Sequence, residues 1–166
     1  RIREQLSLAF RAYRDALGHE PRAVGAPAWM ATAASLRAQD SLGLLYASDM
    51  RGLEPCFPVL DGYRSTTLQI PTTQPCLEEL LTLGLRSEAQ WLERLLAPPR
   101  GAGAMVIPLH AEVEGGIYNG FLRSLLQRVK DSGMNVVTMS RLAEECMRAG
   151  PRPPVVAAGL RELPGR

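Results

Sequence analysis

One histidine, His110, occupies a position where an imidazole could transfer a proton. It follows residues 104–109, the most apolar stretch of the chain, which predicts a buried strand. In parallel α/β proteins the functional side chains collect at the carboxyl ends of strands, and imidazole is well suited to proton transfer near neutral pH. His110 could therefore protonate the amine that leaves when an amide is cleaved. A histidine that only forms a hydrogen bond at a strand end is the alternative.

Two glutamates and a tryptophan could assist such a reaction. Glu112 and Glu114 follow His110 and point to the same side if the chain stays extended there. They could then orient His110 or bind a sugar, although surface carboxylates are usually only solvated. Trp29 could stack on a sugar ring, or it could pack in a loop or in the core.

A second candidate strand end lies after the short apolar run of residues 44–47. Asp49 could hold the imidazole of His110 in a useful orientation, as a carboxylate does for other catalytic histidines, or it could form a turn before Gly52. Arg51 could bind a substrate phosphate through its two-pronged guanidinium, or it could pair with a nearby acid.

The cysteines and histidines predict no metal site within this chain. The three cysteines, Cys56, Cys76 and Cys146, lack metal-site spacing and cannot all pair with one another, so a reducing compartment is the simpler interpretation. His19 and His110 are the two histidines, and they are far apart in the sequence. Neither a glycine-rich phosphate loop nor an activated-serine motif is visible.

Composition narrows the class of protein. The 166 residues are 46% apolar and 22% charged, which is typical of a globular protein long enough to bury a core. The net charge of +2, with basic residues spread along the chain, argues against a nucleic-acid partner. No apolar run reaches the roughly 18 residues needed to span a bilayer, and no signal peptide is recognisable. The chain begins at Arg1 inside a helical pattern, so we expect it to be part of a longer protein.

Periodicity and turn residues predict an alternation of helices and strands. We expect helices over 2–17, 31–42, 77–83, 88–96, 119–132 and 140–149, with strands over 22–25, 44–47, 66–70, 104–109 and 136–138. Residues 50–65 are predicted to form a loop, and the proline-rich tail 150–166 an irregular segment. Such alternation indicates an α/β protein with parallel strands, built either as a partial barrel or as an open doubly wound sheet.

The order of these segments resembles the polysaccharide deacetylase (NodB-like) family. Trp29, residues 46–52, residues 69–71 and above all residues 110–115 (His-Ala-Glu-Val-Glu-Gly) carry the resemblance, which continues into the following helix. Within the family the chain is most similar to the deformylases of lipid-linked 4-deoxy-4-formamido-L-arabinose, which modify lipid A. The resemblance implies a partial, distorted (β/α) barrel over residues 1–149. It also implies a peripheral location on the cytoplasmic side of a bacterial inner membrane and a lipid-linked amino sugar as substrate.

The resemblance also implies a mechanism. A divalent metal would be held by an Asp and by a His-x-x-x-His pair, and the metal-bound water would attack the amide. His110 matches the family's late histidine, the acid that protonates the sugar amine, with Asp49 as a second catalytic residue. We expect Arg51, Glu112, Glu114 and Trp29 to bind substrate.

Two departures from the family pattern raise alternatives. The metal motifs would lie upstream of Arg1, so these residues alone are expected to release no formate. Met30 stands where relatives carry an Arg that supports the catalytic carboxylate. An N-acetyl-sugar deacetylase is the nearest alternative function, and a non-catalytic module that binds carbohydrate or a lipid carrier is an alternative of a different class.

Overall fold

Helices and short strands follow one another along most of the chain. The computed structural model describes residues 1–98 and 103–149. These residues divide into two units: the first unit contains residues 1–71 and 138–149, and the second unit contains residues 72–137 apart from 99–102. The expected single domain over residues 1–149 stays a prediction, and the predicted irregular tail lies outside the described residues.

The first unit is built around a parallel strand pair joined by a helix. Helix α1 (Ile2–Leu17) ends at Gly18, whose positive φ of 76° allows its N–H to donate to Arg14 O. Strand β1 (Ala23–Val24) then pairs in parallel with β2 (Tyr46–Ala47), and α2 (Ala33–Asp40) lies between them in the chain. This β1–α2–β2 order is the crossover unit expected of an α/β protein. Helix α2 begins after Thr32, whose hydroxyl accepts from Ser35 N at 3.0 Å.

The strand predicted over residues 66–70 is reduced to bridges at a single residue. Gln69 bridges Ala47 in parallel and Cys56 in antiparallel orientation. The preceding N–H groups of Thr66 and Thr67 donate to the carboxylate of Asp40 instead of to a neighbouring strand. A ladder cannot extend through residues whose donors are already used elsewhere.

The loop predicted over residues 50–65 contains a hairpin that the prediction missed. Strands β3 (Val59–Leu60) and β4 (Tyr63–Arg64) pair in antiparallel orientation. The turn between them consists of Asp61 and Gly62, with φ values of 49° and 73°. An Asp-Gly pair with both residues at positive φ is the preferred two-residue hairpin turn, so this signal was present in the sequence.

Helix α6 (Met139–Arg148) completes the first unit. Its capping residue is Thr138, two residues before the predicted cap Ser140: the Thr138 hydroxyl accepts from Arg141 N at 3.2 Å. Glu144 of α6 lies 3.5 Å from the guanidinium of Arg22. The strand predicted over residues 136–138 is not formed, and Val136 exposes 74% of its surface.

The second unit is a small helical core. It contains α3 (Leu77–Thr82), α4 (Glu88–Leu96) and α5 (Asn119–Asp131). Trp91 packs edge-on against Tyr118 and Phe121, with ring centroids 5.7 and 5.5 Å apart. The buried cluster that unites the three helices consists of Leu77, Leu80, Trp91, Leu95, Phe121 and Leu125.

The strand predicted over residues 104–109 is also not formed, although the segment is held in place. Val106 O accepts from the N–H groups of Thr73 and Gln74, both at 3.1 Å, and Val106 N donates to Thr73 Oγ1 at 2.8 Å. Pro108 supplies no N–H, which prevents a regular ladder two residues later. Two strand pairs are therefore the whole sheet content of the described residues, and the predicted partial barrel stays a prediction. In residues 1–98 and 103–149, no helix has the length and apolar character needed to cross a bilayer.

Candidate active site

His110 directly follows residues 104–109, at the point where the chain turns towards α5. Its carbonyl oxygen accepts from Val113 N at 2.9 Å and Glu114 N at 3.0 Å, so the chain folds into a turn directly after it. Residues 112–114 are therefore not extended, and the condition under which Glu112 and Glu114 would point to the same side is not met. Glu112 is exposed, whereas Glu114 exposes only 1% of its surface, so the two glutamates do not share one environment.

Glu114 fixes the backbone of His110. Its Oε2 accepts from His110 N at 2.7 Å, and its other oxygen, Oε1, is buried with no hydrogen-bond partner among the described residues. A buried carboxylate with an unsatisfied oxygen is costly, so the position of Glu114 is energetically unfavourable unless the structure gains something from it. Glu114 thus positions His110, while substrate binding by Glu112 and Glu114 stays a prediction.

A carboxylate that the sequence did not single out contacts the imidazole. Glu78 Oε1 lies 2.9 Å from His110 Nδ1, and the two side chains expose 45% and 39% of their surface. The distance suits a hydrogen bond, but the ring N–H is not aligned with the oxygen, so Nδ1 has no hydrogen-bond partner in the described part of the chain. We therefore treat the contact as an ion pair when the imidazole is protonated. It supplies the orienting carboxylate expected beside a catalytic histidine.

Glu78 reaches this position because α3 begins beside residue 110. Cys76 is the residue before the helix, and its N–H donates to Glu79 Oε2 at 2.9 Å. Leu77 and Leu80 are buried and hold α3 in the core of the second unit. The helix start was predictable from Pro75 and the acidic residues that follow it. Its proximity to His110 was not, because the 31 residues between Glu78 and His110 carry no local signal of that contact.

Cys76, Glu78 and His110 form a cluster. One potential ligand atom from each lies within 4.8 Å of the others. The spacing of the cysteines in the sequence did not indicate this proximity, and the prediction that they form no metal site stays a prediction. Burial raises the pKa of the Cys76 thiol to about 11, and the charges of Glu79 and Glu78 act in the same direction. Cys76 forms no disulfide within the described part of the chain, so the cluster holds a thiol.

Asp49, the other predicted catalytic residue, is fully buried in the first unit. Its Oδ1 accepts from Ala26 N at 2.6 Å, and its Oδ2 accepts from the side-chain amide of Gln39. Asp49 N donates to Gln69 Oε1 at 3.0 Å. These contacts tie the loops after β1 and β2 to α2 and to residue 69. They favour a structural role for Asp49, and its catalytic role stays a prediction.

Trp29 and Arg51 contact each other in the first unit. The guanidinium carbon of Arg51 lies 3.6 Å from the centre of the Trp29 indole, a cation–π arrangement. Trp29 sits in a tight turn in which both it and Ala28 have positive φ, at 54° and 53°, a strained conformation for residues with side chains. One face of the indole is thus covered by Arg51. Sugar stacking by Trp29 and phosphate binding by Arg51 stay predictions.

A shallow surface groove lies between α4 and α5 and contains none of these residues. It is lined by Glu88, Ala89, Leu92, Arg123, Ser124, Gln127 and Arg128. The groove offers neither a histidine nor a cysteine, and its ionisable side chains are those of ordinary helix surfaces.

Known proteins resemble this chain in both sequence and fold. A protein of Shewanella sediminis assigned as the 4-deoxy-4-formamido-L-arabinose-phosphoundecaprenol deformylase ArnD is 28% identical over 116 residues, which cover 70% of this chain and 37% of that protein. A protein of Wigglesworthia glossinidia brevipalpis with the same assignment is 23% identical over 169 residues, which cover 100% of this chain and 57% of the relative. The chain thus spans between about a third and three fifths of the length of these relatives.

A solved structure shares the fold. A crystal structure from Mycobacterium smegmatis, assigned as a polysaccharide deacetylase, superposes with a TM-score of 0.71 over 97% of this chain and 60% of its own, at 20% identity. No protein-family model matches the chain. The resemblance of the chain to deacetylase-family deformylases is nevertheless confirmed by two sequence relatives, and the fold is shared with one structural neighbour.

Proposed function

We propose that this chain, a relative of the polysaccharide deacetylases, belongs to a carbon–nitrogen hydrolase that removes an acyl group from a sugar amine. The observation that carries the proposal is the contact between His110 and Glu78 at the start of the His-Ala-Glu-Val-Glu-Gly run. A partly exposed imidazole held beside a carboxylate is the arrangement that a proton donor for a leaving amine requires.

His110 would act as the general acid. When the tetrahedral intermediate collapses, the C–N bond breaks, and the nitrogen leaves as a neutral amine only if it gains a proton in that step. A protonated imidazole would supply this proton from one ring nitrogen, while the carboxylate of Glu78, 2.9 Å from Nδ1, would stabilise the positive charge of the ring. Glu114 Oε2 accepts from the backbone N–H of His110 at 2.7 Å and so fixes the backbone from which the ring extends.

The family's metal would supply an activated water for the attack on the amide carbonyl. The family's ligand set does not fit the residues of this chain, because His19 and His110 are its two histidines and do not form a His-x-x-x-His pair. We therefore derive no step of the reaction from that metal. The part of the reaction that this chain's own side chains can perform is the proton transfer at His110.

The substrate that we propose is 4-deoxy-4-formamido-L-arabinose carried on undecaprenyl phosphate, because both sequence relatives are assigned to that substrate. Such a substrate would bring the protein to the cytoplasmic surface of the inner membrane as a peripheral enzyme. An N-acetyl sugar is the nearest alternative, since the structural neighbour is assigned only as a polysaccharide deacetylase. Formyl and acetyl forms of one sugar distinguish the two, because a pocket shaped for formyl can exclude the additional methyl group.

The test is the activity of the full-length protein with His110 replaced. His110→Ala should lower kcat by roughly 10²–10⁴-fold, the usual contribution of a general acid, while leaving the fold unchanged by circular dichroism. His19→Ala is the matched control, because His19 is exposed; its ring lies beside Tyr13, with centroids 5.4 Å apart, and its Nδ1 lies 3.1 Å from Glu20 O. Release of formate at the wild-type rate by the His110→Ala protein would contradict the proposal.

A non-catalytic binding module is the second candidate, and Met30 is the feature that favours it. Met30 exposes half of its surface at a position where the family resemblance implies an arginine that supports the catalytic carboxylate. Calorimetry with the lipid-linked sugar distinguishes the two functions. Binding without any turnover by the wild-type full-length protein would support the module and overturn the hydrolase.

A further inference from the structure

We propose that Cys76, Glu78 and His110 form a binding site for a transition-metal cation of the Zn²⁺ type in the second unit. Their ligand atoms lie within 4.8 Å of one another, and His110 Nδ1 and Glu78 Oε1 are already 2.9 Å apart. The set differs from the Asp and His-x-x-x-His ligands implied by the family resemblance. It therefore goes beyond the proposed hydrolase and does not depend on it.

The chemistry of the three side chains selects the class of metal. Sulfur, imidazole nitrogen and carboxylate oxygen are the donors that Zn²⁺ accepts, whereas Mg²⁺ and Ca²⁺ require oxygen donors. In tetrahedral zinc sites, bonds of about 2.0–2.3 Å place the ligand atoms roughly 3.3–3.8 Å from one another. A separation within 4.8 Å needs only an adjustment of about 1 Å, which side-chain rotation can supply.

The backbone holds all three ligands in place without metal. Cys76 and Glu78 stand at the start of α3, where Leu80 N donates to Cys76 O at 3.2 Å and Glu79 caps Cys76 N. His110 is fixed by Glu114 on its N–H. The cost of ordering the ligands is thus met by the fold, which is the condition for a preorganised site.

Buried polar atoms without hydrogen-bond partners lie at and beside the proposed metal site. His110 Nδ1, Glu78 Oε2 and Glu114 Oε1 are buried and lack hydrogen-bond partners among residues 1–98 and 103–149. Neither Glu78 nor Glu114 forms an ion pair with a Lys or Arg of those residues. A bound cation would satisfy the first two atoms directly and would offset the charge of the buried Glu114 carboxylate.

The site would remain open to a further ligand. Three protein ligands leave a fourth tetrahedral position, and Glu78 and His110 are each exposed by more than a third of their side-chain surface. A metal on Nδ1 would also replace the proton that Glu78 faces. Because a metal-bound neutral imidazole is a weak acid, His110 would act as the proposed acid in the metal-free state of the chain and not in the metal-bound state.

Cobalt absorbance tests the site without reference to catalysis. The metal-free 166-residue chain is titrated with Co²⁺, and one equivalent should produce the visible bands of a tetrahedral ion together with a thiolate-to-cobalt band in the near ultraviolet. Zn²⁺ should then displace the cobalt. Cys76→Ser should abolish the near-ultraviolet band, whereas Cys146→Ser, which removes a thiol outside the cluster, should retain it.

Competition with a chromophoric chelator gives the affinities. His110→Ala and Glu78→Gln should each weaken Zn²⁺ binding at least tenfold, and Glu114→Gln, which changes only a supporting residue, should weaken it roughly tenfold or more. Circular dichroism shows whether each variant is folded. Absence of stoichiometric binding, or an unchanged cobalt spectrum in folded Cys76→Ser, would overturn the site. A failed deformylase assay would leave this result untouched.

Discussion

Asp40 joins the end of α2 to the hairpin and to the segment that follows it, and its replacement should destabilise the first unit. The carboxylate stands at a helix C-terminus, where negative charge is unfavourable. Four donors offset that disadvantage, at distances of 2.6–3.0 Å: Tyr63 Oη, Ser65 Oγ, Thr66 N and Thr67 N. Burial raises the pKa of Asp40, but these hydrogen bonds, led by that of Tyr63, outweigh burial and lower the pKa from 3.8 to about 2.

The lowered pKa gives the size and the pH dependence of the effect. A change from 3.8 to about 2 corresponds to at most about 2 kcal/mol of folding free energy, which solvent screening of the partly exposed carboxylate reduces to roughly 1 kcal/mol. Because the pKa is lower in the folded chain, this stabilisation is complete above about pH 4. It is lost as the pH falls towards 2.

Asp40→Asn should lower the free energy of unfolding by more than the removal of the charge alone would. Each carboxylate oxygen accepts one backbone N–H, Thr66 N on Oδ2 and Thr67 N on Oδ1. Whichever way the asparagine amide is turned, its NH₂ group faces one of these two N–H donors. This mismatch adds about 1–2 kcal/mol to the loss of unfolding free energy. We expect the free energy of unfolding to fall by about 2–3 kcal/mol in total at pH 7. Near pH 2.5 the loss should be smaller than this by about 1 kcal/mol.

Urea unfolding followed by far-ultraviolet circular dichroism at pH 7 and pH 2.5 measures both quantities. Asp61→Asn is the matched control, because Asp61 is an exposed turn residue at φ 49°, a conformation that Asn tolerates. The control should change the unfolding free energy by less than about 0.5 kcal/mol. A difference between wild type and Asp40→Asn that does not change with pH would refute the assigned role of the charge.

Three further outcomes are expected. Phe121→Ala should lower the unfolding free energy of the second unit, measured in urea, by about 3–5 kcal/mol. The control Leu126→Ala, at an exposed position, should lower it by less than about 1 kcal/mol, and equal losses would contradict the assigned core. Thr138→Ala should lower thermal stability by about 1 kcal/mol through loss of the α6 cap, and an unchanged melting temperature would argue against that cap. Burial raises the pKa of the Cys56 thiol, so Cys56 should react with a thiol reagent at pH 8 more slowly than the partly exposed Cys146. Mass spectrometry measures the two rates, and the reverse order would be inconsistent with the burial of Cys56.

Local signals in the sequence were sufficient for the helices. Helix α1 and its end at Gly18 follow from apolar spacing and a glycine cap, and Ser87 with Gln90 gives the start of α4. The parallel pairing of β1 with β2 follows from a strand–helix–strand order. Each of these features depends on residues close together in the chain, which is why pattern alone identifies them.

Strands and site contacts depend on residues far apart, and there the sequence was insufficient. The apolar run before His110 resembles a strand, yet its hydrogen bonds go to Thr73 and Gln74 instead of to a neighbouring strand. The partner of the imidazole was expected to be Asp49, whereas the carboxylate found beside Nδ1 is Glu78. Two carboxylates in apolar-flanked positions look alike in a sequence. The distinction between them arises only when the chain has folded.

The placement of the two tryptophans gives each unit its own optical reporter. Trp91 is buried among aromatic rings in the second unit, and its indole N–H donates to Leu85 O at 3.0 Å. Trp29 lies half-exposed beneath a guanidinium in the first unit. Their emission should therefore differ in wavelength, with Trp91 the bluer of the two. Replacing either one by Phe leaves a single fluorophore, so the unfolding of each unit can be followed separately in the intact chain.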